Sequence, residues 1–136
     1  MPIKVFNNQD KVKLNNRSVV EYLPDIEDKL CLEKDSIYNI IFVDDKKIKE
    51  LNKKYRNADR TTDVLSFRYS KKDTDIFVST ETAKYNAKFY KEEFNIEILR
   101  LIIHGILHAL DFTDYSKKTK EKMWNKQEQT LKCILH

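Results

Sequence analysis

A chain of 136 residues, 40% of them hydrophobic, is long enough for one domain with one core and too apolar for wholesale disorder. Lys and Arg number 26 against 22 Asp and Glu, a net charge of +4 that permits an anionic partner such as RNA without demanding one. Nothing approaches the roughly 20 apolar residues of a membrane span, and the start, MPIKVFNNQDKVKL, has no apolar run of signal-peptide length.

A soluble, cytoplasmic protein with no membrane partner is therefore expected, with residues 1–136 forming a single domain. Ile3 to Asn7 reads as a short strand. Asn16 to Cys31 carries Val19, Val20, Leu23, Ile26 and Leu30 at helical spacing, and Pro24 inside it predicts a kink or break. Ser36 to Val43 is a strand of β-formers. Asp44 and Asp45 then cap a helix running to about Tyr55, with Ile48 and Leu51 on its buried face. Val64 to Tyr69 and Asp75 to Ser79 are further strands. Ser79 or Thr80 caps a helix to about Glu93. Ile96 to about Leu110 is apolar nearly all round and should be the central buried helix. Lys117 to Leu135 is a last amphipathic helix with Met123, Trp124, Leu131 and Ile134. Strands and helices mix without strict βαβ alternation. The expected class is α+β, with a roughly four-stranded mixed sheet, helices on one side and the central helix buried. Cys31 and Cys133 are isolated, so two reduced thiols, buried or half-buried, are expected. Gly105 is the only glycine, so tight turns must fall to Asn and Asp, which tolerate positive φ. Tyr55, Tyr69 and Tyr85 are read foremost as half-buried packing residues, with stacking on unpaired bases as the second reading.

The stretch HGILHALDFTD, His104 to Asp114, holds the chemistry. Residues four apart on a helix differ by about 40° in direction and about 6 Å in height. His104 and His108 therefore point the same way, as two imidazoles on one metal ion must. Two carboxylates are available as a third ligand. Asp111 lies about 20° off the same face if the helix persists, and Asp114 lies beyond its expected end. Zinc proteases with paired histidines carry a general-base glutamate after the first one. Gly105 stands there instead and cannot accept a proton.

The same stretch resembles the His-Gly-x-Leu-His-Leu-x-Gly-x-Asp-His signature of the bacterial YbeY-type endoribonucleases. LNKKYRNADRTTDVLSFRY, Leu51 to Tyr69, is similar to that family's Leu-Asn-x-x-Tyr-Arg followed by Thr-Asp-Val-Leu-Ser-Phe. DIFVSTETA, Asp75 to Ala83, is similar to its Gly-Asp-Ile-Val-Ile-Ser-x-Glu-x-Ala segment. The three motifs span most of residues 51–114; the first 40 residues and the last helix resemble the family only in layout. Counted without gaps, the family's third histidine falls on Asp114 and its glycine on Asp111. That glycine is expected to end the helix in a left-handed conformation. Asp111 can adopt it at some cost, but is then poorly aimed as a ligand. The metal set implied is His104, His108 and Asp114, with Asp111 as runner-up and zinc as the expected divalent ion.

The resemblance further implies a metal-dependent, single-strand-specific endoribonuclease in ribosomal RNA maturation, at the small-subunit 3′ end, and in ribosome quality control. Its partners would be single-stranded and ribosomal RNA and small-subunit proteins. Arg56 would be the catalytic cation that grips a phosphate. Thr62, Asp63 and Ser66 would be substrate-binding or ligand-orienting residues, although Thr-Thr-Asp also reads as a turn feeding a strand. Glu81 reads foremost as a helix N-terminal acid. Two other readings are a non-catalytic ribosome-assembly factor with a structural metal, and a hydrolase of another substrate.

Overall fold

The structure is a computed structural model that describes residues 2–112 and 116–135. In chain order its elements are β1 (Ile3–Asn7), α1 (Asn16–Val20), α2 (Leu23–Lys29), β2 (Ile37–Val43), α3 (Asp45–Arg56), β3 (Val64–Ser70), β4 (Asp73–Ser79), α4 (Thr80–Phe89), α5 (Phe94–Ala109) and α6 (Lys117–Ile134). The fold is α+β, as expected. Pro24 does break the first helical stretch, since α2 begins with it in its first turn. The Asp44 side chain caps α3 by accepting from Lys47 N at 2.8 Å.

The four strands lie in the order β1-β2-β4-β3. β1, β2 and β4 run parallel, and β3 pairs antiparallel with β4 along one edge. The register puts Ile3, Tyr38, Ile40, Phe42, Ile76 and Val78 on one face, and all are buried. Against that face packs α5, which buries ten of its sixteen residues. α1, α4 and α6 also touch it, as do β3 and β4. Each Ile or Leu fully buried there contributes about 1.5–3 kcal/mol, and this is why the least polar segment sits at the centre. None of the described helices is long and apolar enough to cross a membrane.

Polar tethers set the chain where α3 and α4 begin. Asp45 Oδ1 accepts from Ser79 Oγ and Thr82 Oγ1, both at 2.6 Å, and from Thr61 Oγ1 at 3.2 Å. Glu81 Oε1 accepts from Asp45 N at 3.0 Å. The expected helix N-terminal acid of α4 thus caps the neighbouring helix as well.

Among the described residues four have positive φ: Cys31, Asn57, Lys91 and Asp111. Asn57 and Asp111 fit the expectation for a chain poor in glycine. Cys31 and Lys91 do not, because each merely ends a helical stretch that its neighbours hold in place. The left-handed Lys91 also explains why α4 stops at Phe89, before the expected Glu93. Both cysteines are unpaired but exposed, not buried. Tyr55, Tyr69 and Tyr85 are exposed too: Tyr55 lies edge-on to Phe67, Tyr85 stacks on Phe89, and the Tyr69 hydroxyl donates to Asp75 Oδ2 at 3.1 Å.

Gly105 owes its identity to packing. A Cβ there would lie 2.6 Å from Ile76 Cγ2 and 3.2 Å from both Ser66 Oγ and Val64 Cγ2. Alanine would gain about 1 kcal/mol of helix propensity. Ile76 is fully buried and has nowhere to go, and overpacking costs about 1–3 kcal/mol. Gly105→Ala is expected to lower the urea midpoint at an unchanged m value, with a net loss of up to about 2 kcal/mol. An unchanged or higher midpoint would show that α5 can lift off the sheet freely.

Candidate functional site

His104 and His108 lie one turn apart on α5, both half-buried, with ring centroids 6.5 Å apart. The tautomer of His104 follows from a chain of hydrogen bonds. Gln127 on α6 is buried, and its Nε2 donates to Glu128 Oε2 at 2.9 Å. That fixes the amide so that Oε1 faces His104 Nδ1 at 2.7 Å. Nδ1 then carries the proton, and the Nε2 lone pair is the one available to a metal ion. Metal-ligating histidines are commonly oriented in this way, through the nitrogen that does not bind.

Among the described residues no group of three or more His, Cys, Asp and Glu side chains could hold a metal ion. Asp114, the expected ligand, lies outside them. Asp111 has φ 72°. Its N–H donates to His108 O at 3.2 Å and the N–H of Phe112 to Leu107 O at 3.1 Å, the paired bonds of a left-handed helix terminator. Its carboxylate is 89% exposed and lies 3.4 Å from Arg68 Nη1. The same nitrogen donates to Ala109 O at 2.7 Å, satisfying an open carbonyl at the end of α5. The donor chemistry of the two imidazoles suits two ligands of a divalent ion, and the Asp111 carboxylate faces solvent beside Arg68.

Arg56 ends α3 and reaches the outer edge of β3. Its Nη2 donates to Ser66 O at 2.7 Å, and its guanidinium lies 5.2 Å from the centre of the Phe67 ring. The Ser66 hydroxyl, a candidate phosphate ligand, donates to Gly105 O at 2.9 Å. So one strand residue holds Arg56 on one side and the helix turn between the two histidines on the other. Thr62 and Asp63 are half-buried just before β3. The Asp63 carbonyl accepts from Ser79 N at 2.9 Å, and its carboxylate receives Asn86 Nδ2 at 3.5 Å.

A cavity of about 740 Å³ opens beside His104, walled by α4, α5, α6 and Asp63. Within it Arg100 spends all five N–H donors on carboxylates. Nε goes to Glu128, Nη1 to Glu92 and Glu97, and Nη2 to Glu92 and Glu128. Burial works against the guanidinium charge, yet the hydrogen bonds it donates to Glu92, Glu128 and Glu97 outweigh it and raise its pKa. Burial pushes the Glu97 carboxyl above the usual range, and Arg100 and Asn86 pull it partly back.

Sequence reasoning passed over Gln127, Arg100 and Glu128. A signal for Gln127 was present: it falls in the Met123, Thr130, Leu131, Ile134 stripe that α6 buries, where a polar residue needs a partner. Glu97 and Arg100, three apart on the most apolar helix, carried the same kind of signal.

The family described as Endoribonuclease YbeY matches residues 4–134. A protein named Endoribonuclease YbeY from Endomicrobium trichonymphae is 41% identical over 100 residues, which is 72% of this chain and 71% of that protein. One of the same name from Acetivibrio thermocellus is 32% identical and covers 98% of this chain and 97% of its own length. The solution structure of a Thermotoga maritima protein superposes with a TM-score of 0.67 at 27% identity, over 96% of this chain and 89% of that one.

Proposed function

The chain belongs to the YbeY endoribonuclease family, and on that premise we propose that it cuts single-stranded RNA with the help of one divalent metal ion, zinc first among the candidates. Its substrate is ribosomal RNA near the small-subunit 3′ end, handled in the cytoplasm with small-subunit proteins close by. The observation that carries the reading is the bond from His104 Nδ1 to the buried Gln127 amide, which presents a second imidazole nitrogen on the face shared with His108.

His104, His108 and Asp114 would hold the ion. The chemistry a bound divalent ion supplies is Lewis acidity at a phosphoryl oxygen and activation of water. Phosphodiester cleavage gathers negative charge on the phosphoryl oxygens, so a positioned cation helps most in the transition state. Arg56 provides it: the described residues take one of its five N–H donors, and the others can grip a phosphate in the forked geometry of a guanidinium. Gly105 rules out the protease arrangement twice over. It is no proton acceptor, and its position faces Ile76 and Ser66 on the sheet, where a glutamate has no room.

Metal analysis and an RNA cleavage assay test this on the wild type, Arg56→Ala, Asp114→Ala and Asp111→Ala. The expected result is one metal equivalent and cleavage of single-stranded RNA by the wild type. Asp114→Ala should lose the metal and Asp111→Ala keep it. Arg56→Ala should keep the metal and cut about 10²–10³-fold more slowly. A fully metallated wild type that leaves RNA intact would favour the assembly factor with a structural metal. Loss of metal from Asp111→Ala but not Asp114→Ala would overturn the ligand assignment.

A further inference from the structure

The cavity beside His104 has the wrong electrostatics for phosphate and the right ones for a base. Asp63, Glu92, Glu97 and Glu128 face it against two cations, Arg100 and Lys120. Arg100 has no donor to spare, being shared among three of those carboxylates. A phosphate entering here would meet net negative charge. A neutral ring bearing N–H donors would not.

The walls are aromatic. Trp124 is 56% exposed although it belongs to a helix that packs on the core, and Tyr90 across the cavity is 65% exposed. With Lys120 and Gln127, Trp124 also lines a second, apolar cavity that again includes His104. Exposed aromatic rings of this kind stack unpaired bases, and each such contact is strong relative to its area. From Tyr90 the rings continue outward, Phe89 lying edge-on at 5.1 Å and Tyr85 stacked on Phe89 at 6.2 Å. The volume, about 740 Å³, falls within the usual size of a small-molecule site, about 300–1,000 Å³.

We infer that this cavity receives an unpaired guanine of the substrate strand, stacked on Trp124 and read by the Asp63 carboxylate. The inference rests on the RNA-cutting role proposed above and adds base preference to it. Glu92, Glu97 and Glu128 are held by Arg100. Asp63 receives one hydrogen bond from the described side chains, at 3.5 Å from Asn86, and a carboxylate has about four acceptor positions. Guanine offers N1–H and the N2 amino group side by side, matching two carboxylate oxygens. Hypoxanthine, without the amino group, offers one donor. Uracil offers one N–H flanked by two carbonyl oxygens, which a carboxylate repels.

Trp124 is the only tryptophan in the chain, so its fluorescence reports stacking directly. The metal-loaded protein is titrated with the 5′-monophosphates of guanosine, inosine and uridine, which have no internucleotide bond to cut. Guanosine monophosphate should quench saturably, inosine monophosphate with roughly tenfold weaker affinity and uridine monophosphate least. Asp63→Asn should erase the guanosine-over-inosine preference while leaving the quenching. Separately, single-stranded pentaribonucleotides with central guanosine or uridine are assayed for cleavage by the wild type and Trp124→Ala. The guanosine substrate should be preferred, and Trp124→Ala should cut it about 5- to 100-fold less efficiently through KM. Equal quenching by all three nucleotides, or none, overturns the pocket even if RNA is cut. Guanine-selective quenching with uncut RNA keeps the pocket and removes the nuclease reading.

Discussion

His108→Ala is expected to lose its metal equivalent and to cut single-stranded RNA at least about a thousandfold more slowly than the wild type. The ion is worth several kcal/mol of transition-state stabilisation, and each 1.36 kcal/mol is a factor of ten. A bare loss of activity would not separate a ligand from a residue needed for folding, so Gln127→Leu is the informative companion. Leucine leaves both imidazoles in place and removes the acceptor at 2.7 Å that sets the His104 tautomer, together with the amide's donor to Glu128. Such outer partners are worth about 10–100-fold in metal affinity or activity. The pair should therefore grade: complete metal loss in His108→Ala, and weaker binding restored by excess metal in Gln127→Leu. If Gln127→Leu binds metal as tightly as the wild type, the amide does not orient a ligand, and the observation that carries the proposed function falls.

The backbone was largely legible because local signals and tertiary packing agree. Pro24 breaks a helix wherever it sits inside one, and Asp44 caps because its side chain reaches an N–H three residues on. The histidine pair was legible for the same reason, since spacing on a helix sets direction without reference to the rest of the fold. What surrounds the pair was not. Gln127 lies 23 residues from His104 and meets it only because α6 packs on α5. Arg100 gathers Glu92, Glu97 and Glu128 from three places along the chain. Only Glu97 was within helical reach of a sequence pattern. Ser66 was expected among the substrate-binding or ligand-orienting residues; what its motif did not reveal is that its hydroxyl donates to the Gly105 carbonyl, where the bare glycine brings α5 close to β3. The Asp111 conformation shows how a single position can be legible through a resemblance. Where a glycine is expected at a helix end, the residue that replaces it inherits the left-handed backbone.

That Arg100 cluster makes the second large prediction. Its side chain is 14% exposed and holds three carboxylates, one of them on buried Glu97. Arg100→Met keeps much of the volume and removes the counter-charge. Buried carboxylates left without a partner typically cost about 3–5 kcal/mol, a large share of the stability of a domain this size. The loss should depend on pH in a definite direction. Glu97 is held above the ordinary carboxyl range in the folded protein, chiefly by burial and against the pull of Arg100. A folded-state pKa above the unfolded one means that the folded state holds the proton more tightly. The stability this group contributes is present below the unfolded value and is lost as pH rises through the folded one. Removing Arg100 takes away the pull that limits that rise, so the window of loss should extend upward. Urea unfolding at about pH 5 and about pH 8 should then show the variant approaching the wild type at the lower value and falling furthest below it at the higher one. A deficit of the same size at both would mean that the cluster stabilises by packing, as long aliphatic stems do, and not by charge.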